Sequence, residues 1–380
     1  MDTLMNGGTE GEAEAGKMTK LPPIKPGRLD GKNSEYRSGS HRIPKRCNSQ
    51  IELVLQQNRD KAAHKDKKVG SGTQDKRETV IKGFFSDLFH LGYKIENIHS
   101  LKQKHLQAVF GFLEDQGQSP STIQNKISIM RVFCEWVGKY GMVGDSTKYV
   151  KNRASVRRSM VVQEDKSWDG NGFALLDQLP EIATKDEDVA MWLEIIWAFG
   201  LRVREGIMSR PGASADGLVY WVKEGTKGGR SRVVPIETDV QRDVIERAKK
   251  LADGKTGLLG KRGKSYKQKR DRFYYILKVC GFTLKDKGVT AHGLRHEYMQ
   301  RAFKRLTGIE APIKGGDLSL LDKKEFHEAS QKLMERAGHT RVTIGAAYYG
   351  SRRIKKPNPE QSENQNFPEV VKNAPYPPVA

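Results

Sequence analysis

Between Val189 and Phe199 the chain reads Val-Ala-Met-Trp-Leu-Glu-Ile-Ile-Trp-Ala-Phe, with Glu194 as its single charged residue, and Gly200 closes the run. A helix of that composition has no face to offer water, so it must sit at the centre of a core with other elements packed around it. The following sequence offers the cover. Leu218 to Val222, apolar and aromatic, reads as a strand, Lys223 to Gly229 forms a Gly-rich turn, and Arg232-Val-Val-Pro-Ile236 returns as the second arm of a β-hairpin. Helical spacing then predicts helices over 238–252, 266–280, 291–306 and 325–337, with loops between them.

An earlier block has its own periodicity and needs its own core. Val80, Phe84, Phe85, Leu88 and Phe89 recur at helical spacing and stop at Leu91-Gly92-Tyr93. Leu101 to Leu113 repeats the pattern. Ser119-Pro120-Ser121-Thr122 then opens a helix with Ile123, Ile127, Met130 and Phe133 on one face. The expected organisation is a disordered basic arm over 1–70, with a short helix near Ile51, Val54 and Leu55 as its one patterned piece. A helical domain follows over 76–150, a basic linker with Lys151, Arg153, Arg157 and Arg158 over 151–170, a second domain over 171–350, and a Pro-rich tail over 351–380. The fold class is mainly α with a small β-sheet, of α+β type.

Charge narrows the partner. Lys and Arg number 67 against 46 Asp and Glu, a formal charge of +21, and such a field favours a polyanion, with nucleic acid first. The 3 cysteines stand far apart, which supports neither a disulfide framework nor a zinc ribbon and fits a reducing cytoplasm. No apolar run approaches the roughly 18 residues of a membrane helix.

The polar residues that follow are individually ordinary. Arg202 comes directly after the buried helix, with Glu205 close enough to hold its guanidinium. Lys227 sits on the hairpin turn beside Gly228 and Gly229. His292 and Arg295 project from one face at the start of a helix for which Thr290 is the candidate N-cap. His339 follows Gly338 at the end of another helix, and Tyr348 lies 9 positions later, with Tyr349 beside it.

In that order, Arg202, Lys227, His292-Gly-Leu-Arg295, Gly338-His339 and Tyr348 resemble the catalytic set of the tyrosine recombinase (phage integrase) family. The Leu-Gly-Tyr, Ser-Pro-Ser-Thr-Ile and Arg131-Val-Phe-Cys-Glu-Trp136 stretches resemble the SAM-like core-binding domain that precedes the catalytic domain in that family. The resemblance implies a site-specific enzyme that cleaves and rejoins DNA through a 3′-phosphotyrosyl intermediate, with no metal or cofactor, to integrate or excise a mobile element. Two guanidiniums, Arg202 and Arg295, would stabilise the charged phosphate oxygens. Tyr348 would be the nucleophile, Lys227 the general acid for the 5′ oxygen, His292 the base and His339 a donor to the phosphate.

Its implied partners are double-stranded DNA attachment sites and three further copies of the chain, a homotetramer on paired sites, with DNA-bending accessory proteins as additional candidates. No membrane partner is implied, and the bacterial cytoplasm or nucleoid is the implied compartment. The interval from Arg295 to His339 is longer than the family usually shows, so Ile309 to Lys324 reads as an inserted loop. Three other readings compete: a type IB topoisomerase-like relaxing enzyme, a catalytically inactive DNA-binding relative, and a metal hydrolase built on His292, His296 and His339. The last suffers from Arg295, which would repel a cation beside those histidines.

Overall fold

The computed structural model describes residues 42–62, 68–260 and 263–351, and the chain divides into two compact units, Met1–Arg158 and Ser159–Ala380. The first is a helical unit of α1 (Lys45–Asn58), α2 (Ser71–His90), α3 (Gln103–Asp115) and α4 (Pro120–Trp136). The Ser119 hydroxyl accepts from Thr122 N and Pro120 takes the first turn, so α4 starts where its sequence signals it. Phe84, Phe110, Ile123, Ile127 and Phe133 close the core, with Phe85 set edge-on to Phe133 at 5.6 Å between ring centres.

Two boundaries differ from those expected. Helix α1, placed inside a basic arm by its polar surroundings, buries Cys47 and Ile51 in the same core, so the arm is shorter than 1–70; residues 1–41 lie outside the described ones. Helix α2 begins at Ser71 rather than near Thr79, because its first turns are polar and exposed and show no apolar period.

The linker expected over 151–170 is instead divided between the units. Val156 is buried in the first core, while Trp168 is wholly buried in the second, where it stacks on Phe282 at 4.6 Å and donates from Nε1 to Thr290 O at 2.8 Å.

The second unit contains α5 (Leu175–Lys185), α6 (Glu187–Phe199), α7 (Val203–Ile207), α8 (Pro211–Ser214), β1 (Val219–Val222), β2 (Arg232–Pro235), α9 (Asp239–Leu251), α10 (Tyr266–Val279), α11 (Ala291–Thr307), α12 (Lys323–Ala337) and α13 (Ala346–Tyr349). Helix α6 is buried from Val189 to Phe199 and lies under α5, α9 and α11, as its composition requires. Helix α5 was not expected: Pro180 in its middle reads as a break, yet Leu175, Leu179 and Ile182 still turn one apolar face to the core.

Strands β1 and β2 pair antiparallel with Trp221 opposite Val233 and Val222 opposite Arg232. Tyr220, Val222, Arg232 and Val234 face inward. The segment from Ile309 to Lys324 is not a free loop. It forms turns at Pro312–Lys314 and Leu318–Leu320, buries Ala311, Leu318 and Leu321, and pairs Lys314 with Asp169. The tail beyond Ser351 lies outside the described residues.

Gly200 ends α6 in the left-handed region at φ +60°, and a Cβ there would stand 2.3 Å from the Tyr298 ring. Gly200→Ala should therefore combine a left-handed penalty with overpacking, a loss on the order of 3 kcal/mol. Denaturant titration of the full chain checks this; an unchanged midpoint would contradict it.

Candidate active site

Four segments of the second unit converge at one place: the turn from α6 into α7, the first turns of α11, the C-terminal end of α12, and α13. Arg295 is the meeting point. Its side chain is fully buried, and its guanidinium donates from Nη1 to Gly200 O at 2.5 Å, from Nη2 to Ala337 O at 2.6 Å and from Nε to the Tyr348 hydroxyl at 3.2 Å. Those two carbonyls belong to helix C-terminal ends, where the peptide dipoles present negative charge to a cation. Burial draws Arg295 down from the ordinary guanidinium value, but a group of that basicity stays charged.

The Tyr348 hydroxyl also shares a hydrogen bond of 3.0 Å with His339 Nε2. Arg202 reaches the same carbonyl as Arg295, donating from Nη2 to Ala337 O at 3.2 Å, and from Nη1 to Glu205 Oε1 at 2.8 Å. Arg202, Arg295, His339 and Tyr348, which span nearly 150 residues of chain, are thus joined by direct hydrogen bonds or a shared acceptor.

His292 stands at the rim, exposed, with its ring centre 6.1 Å from that of Tyr348 and 5.2 Å from that of His296. Thr290 precedes α11 as its N-cap residue but makes no side-chain cap bond. Lys227 stands apart. It is exposed on the short turn Lys227–Gly229 and acts on the cluster through its field on His339.

The imidazole in contact with the phenol is therefore His339, whereas the resemblance assigns the base to His292. Surrounding protein first, and then the positive charges of Arg295, Arg202, Arg232 and Lys227, lower His339 to about 4, so it is neutral near pH 7 and able to accept a proton. His292 is lowered to about 4 by the same two effects. Its exposed ring makes desolvation the weaker argument there, and the direction rests more firmly on His296, Arg295 and Arg202 beside it.

Tyr349 points the other way. It is buried, stacks on Phe303 with ring centres 5.0 Å apart, and burial pushes its phenol up to about 12. Adjacent helical side chains diverge by about 100°, and here the divergence separates a site tyrosine from a core tyrosine.

Sequence reasoning placed Glu205 beside Arg202, but missed Arg232, which grips the same carboxylate through Nη1 at 2.8 Å and Nη2 at 2.7 Å. Its only signal was a charged residue on the inward parity of a strand. Also missed was the backing of α13: Val162 N donates to Ala346 O at 2.9 Å, and Gln300 Nε2 donates to Asp165 Oδ1 at 2.8 Å and to Tyr348 O at 3.3 Å. Chemically, the cluster offers fixed cations, a neutral imidazole and a phenol, a set suited to an anionic electrophile.

Residues 54–143 match the family model described as "Phage integrase, N-terminal", and residues 166–301 match the one described as "Integrase". A tyrosine recombinase XerC from Corynebacterium efficiens is 24% identical over 163 residues, covering 42% of this chain and 50% of that relative. Its namesake from Corynebacterium glutamicum is 24% identical over 229 residues, covering 57% of this chain and 70% of the relative. The chain thus spans half the length of the first of these relatives. Among solved structures, a lambda integrase (75–356) dimer bound to a COC′ core site superposes with a TM-score of 0.52 at 13% identity, covering 82% of this chain and 98% of that one. His339 and Tyr348 lie beyond the second matched segment.

His296, buried behind Tyr348 with its ring 4.9 Å away, is lowered from 6.5 to about 4, by burial first. Its neutral form stabilises the fold fully above pH 6.5, and that contribution shrinks as pH falls toward 4, because the unfolded chain takes the proton first. Acidification from pH 7 to 5 should cost roughly 2 kcal/mol through this residue alone. In His296→Phe the pH dependence of thermal melting should flatten by that amount; a slope equal to wild type would contradict the assignment.

Proposed function

The chain belongs to the tyrosine recombinase (phage integrase) family, and we propose that it cleaves and rejoins duplex DNA at specific sites through a 3′-phosphotyrosyl link on Tyr348. The observation that carries this reading is the Tyr348 hydroxyl held between Arg295 Nε and His339 Nε2. In the step proposed, the Tyr348 oxygen attacks the scissile phosphorus and its proton passes to the imidazole in contact with it, His339. The bond from phosphorus to the 5′ oxygen breaks, and Lys227 supplies the proton that oxygen takes. One phosphodiester is exchanged for another, so the bond is conserved for rejoining and no external energy source is required.

Arg202 and Arg295 stabilise the nonbridging oxygens, where charge accumulates in the transition state. A phosphate entering between them exchanges with protein contacts: N–H groups now turned to Ala337 O and the Tyr348 hydroxyl turn to phosphate oxygens. His292, at the rim and neutral near pH 7, offers a hydrogen-bonding ring to the DNA in this reading. The strong basic balance and the helical first unit fit a duplex substrate. Recombination needs four such sites, so the working assembly in this reading is a homotetramer on two paired DNA sites, with integration or excision of a mobile element as its outcome.

Two sets of variants test the reading. Suicide duplexes nicked beside the cleavage point should trap a covalent adduct with wild type and with Tyr349→Phe, but not with Tyr348→Phe. An adduct mapped to Tyr349 by mass spectrometry would overturn the assignment. Arg202→Lys and Arg295→Lys should bind the duplex yet cleave on the order of 10²-fold more slowly, since an ammonium cannot reproduce the planar fork. Cleavage at the wild-type rate in either would remove that residue from the site.

A further inference from the structure

The Glu205 carboxylate is fully buried between two guanidiniums that use it differently. Arg232 takes both oxygens in a fork, Nη1 to Oε1 and Nη2 to Oε2, while Arg202 touches only Oε1 through a single side-chain N–H and gives Oε2 its backbone N–H at 2.7 Å. A fork of two parallel bonds is the stronger arrangement, so the carboxylate's charge is met chiefly by Arg232. We propose that Arg232 is a positioning residue that keeps Arg202 available to the scissile phosphate by taking up the charge of Glu205, an inference that rests on the phosphotyrosyl reading above.

The electrostatics follow from the count of charges. Two guanidiniums and one carboxylate leave a single net positive charge on the exposed side, on Arg202, whose side chain retains 24% of its exposure while that of Arg232 retains 5%. Without Arg232, the buried carboxylate would have Arg202 as its one ion-pair partner among the described residues. A buried ionised group satisfies its remaining lone pairs with the nearest donor, so Glu205 would draw Arg202 into the fork and neutralise it. The carboxyl is held at about 2 despite burial, which alone would raise it, because the Arg232 contacts and then those of Arg202 outweigh desolvation.

Arg232 is also anchored where it can align the parts of the site. Its Nε donates to Arg336 O at 2.7 Å, in the last turn of α12. Gly338, at φ +68°, leaves room for it, since a Cβ there would stand 3.0 Å from Arg232 Cδ. The next residue is His339. On its own strand Arg232 pairs with Val222 and follows the turn bearing Lys227. One buried side chain therefore ties the lysine hairpin, the Arg202 turn and the His339 turn together.

The test compares two suicide duplexes, one with an ordinary scissile phosphodiester and one with a methylphosphonate, which lacks one charged nonbridging oxygen and so has less use for Arg202. R232M should slow adduct formation on the phosphodiester on the order of 10²-fold, with little change on the methylphosphonate. R232K, which keeps the charge but not the fork, should fall between and serves if R232M does not fold. Equal losses on both duplexes would show a general structural role and overturn the proposal, as would no loss on either. If wild type forms no adduct at all, the phosphotyrosyl reading is what fails. Binding to the uncleaved duplexes then decides the role of Arg232: wild type should prefer the phosphodiester and R232M should not, and a preference retained in R232M overturns the proposal.

Discussion

A guanidinium without access to water must find all its acceptors in the protein, and Arg295 finds them at the C-terminal ends of α6 and α12 and on the hydroxyl of α13. Leaving such a charge unpaired in the interior would cost several kcal/mol, so each of these contacts constrains an element as much as it satisfies the arginine. Helix α6 must end at Gly200, α12 must end at Ala337, and α13 must return its tyrosine over the same spot. The convergence of the site and the stability of the second core are in this sense one requirement.

A second buried charge extends the requirement. Glu205 fixes the backbone and side chain of Arg202 and holds the inward side chain of β2, so the hairpin cannot shift without breaking a buried ion pair. Three arginines, one glutamate and three depressed histidines leave the cluster strongly positive while its imidazoles stay neutral near pH 7. That division of labour suits phosphate chemistry: fixed cations stabilise oxygens, and neutral rings move protons.

Much of the fold was legible because it depended on local pattern. The run at Val189–Phe199, apolar except for Glu194, could only be a central helix, the Ser-Pro start of α4 could only be a helix N-terminus, and two short strands around a Gly-rich turn could only pair with each other. What was misread had misleading local chemistry. Helix α1 lies in polar surroundings and buries few side chains, α5 contains Pro180, and 309–324 has the glycines and proline of a loop although Ala311, Leu318 and Leu321 fill the core. Trp168, in a weakly patterned stretch, becomes core only because Phe282 is there to receive it.

The sequence by itself determined which residue types stand in what order, and with them the resemblance, the α+β class and the candidates Arg202, Lys227, His292, Arg295, His339 and Tyr348. Residue type and spacing fix helix faces and strand parity through bonds that reach four residues at most. Only the tertiary structure decided that Tyr348 faces the arginines while Tyr349 enters the core, that His339 rather than His292 touches the phenol, and that Arg232 shares Glu205. Those outcomes depend on backbone carbonyls and side chains brought together from distant positions, such as Arg295 with Gly200 and Ala337. A carbonyl is present at every residue and carries no sequence signature, so its service as an acceptor is settled by packing alone.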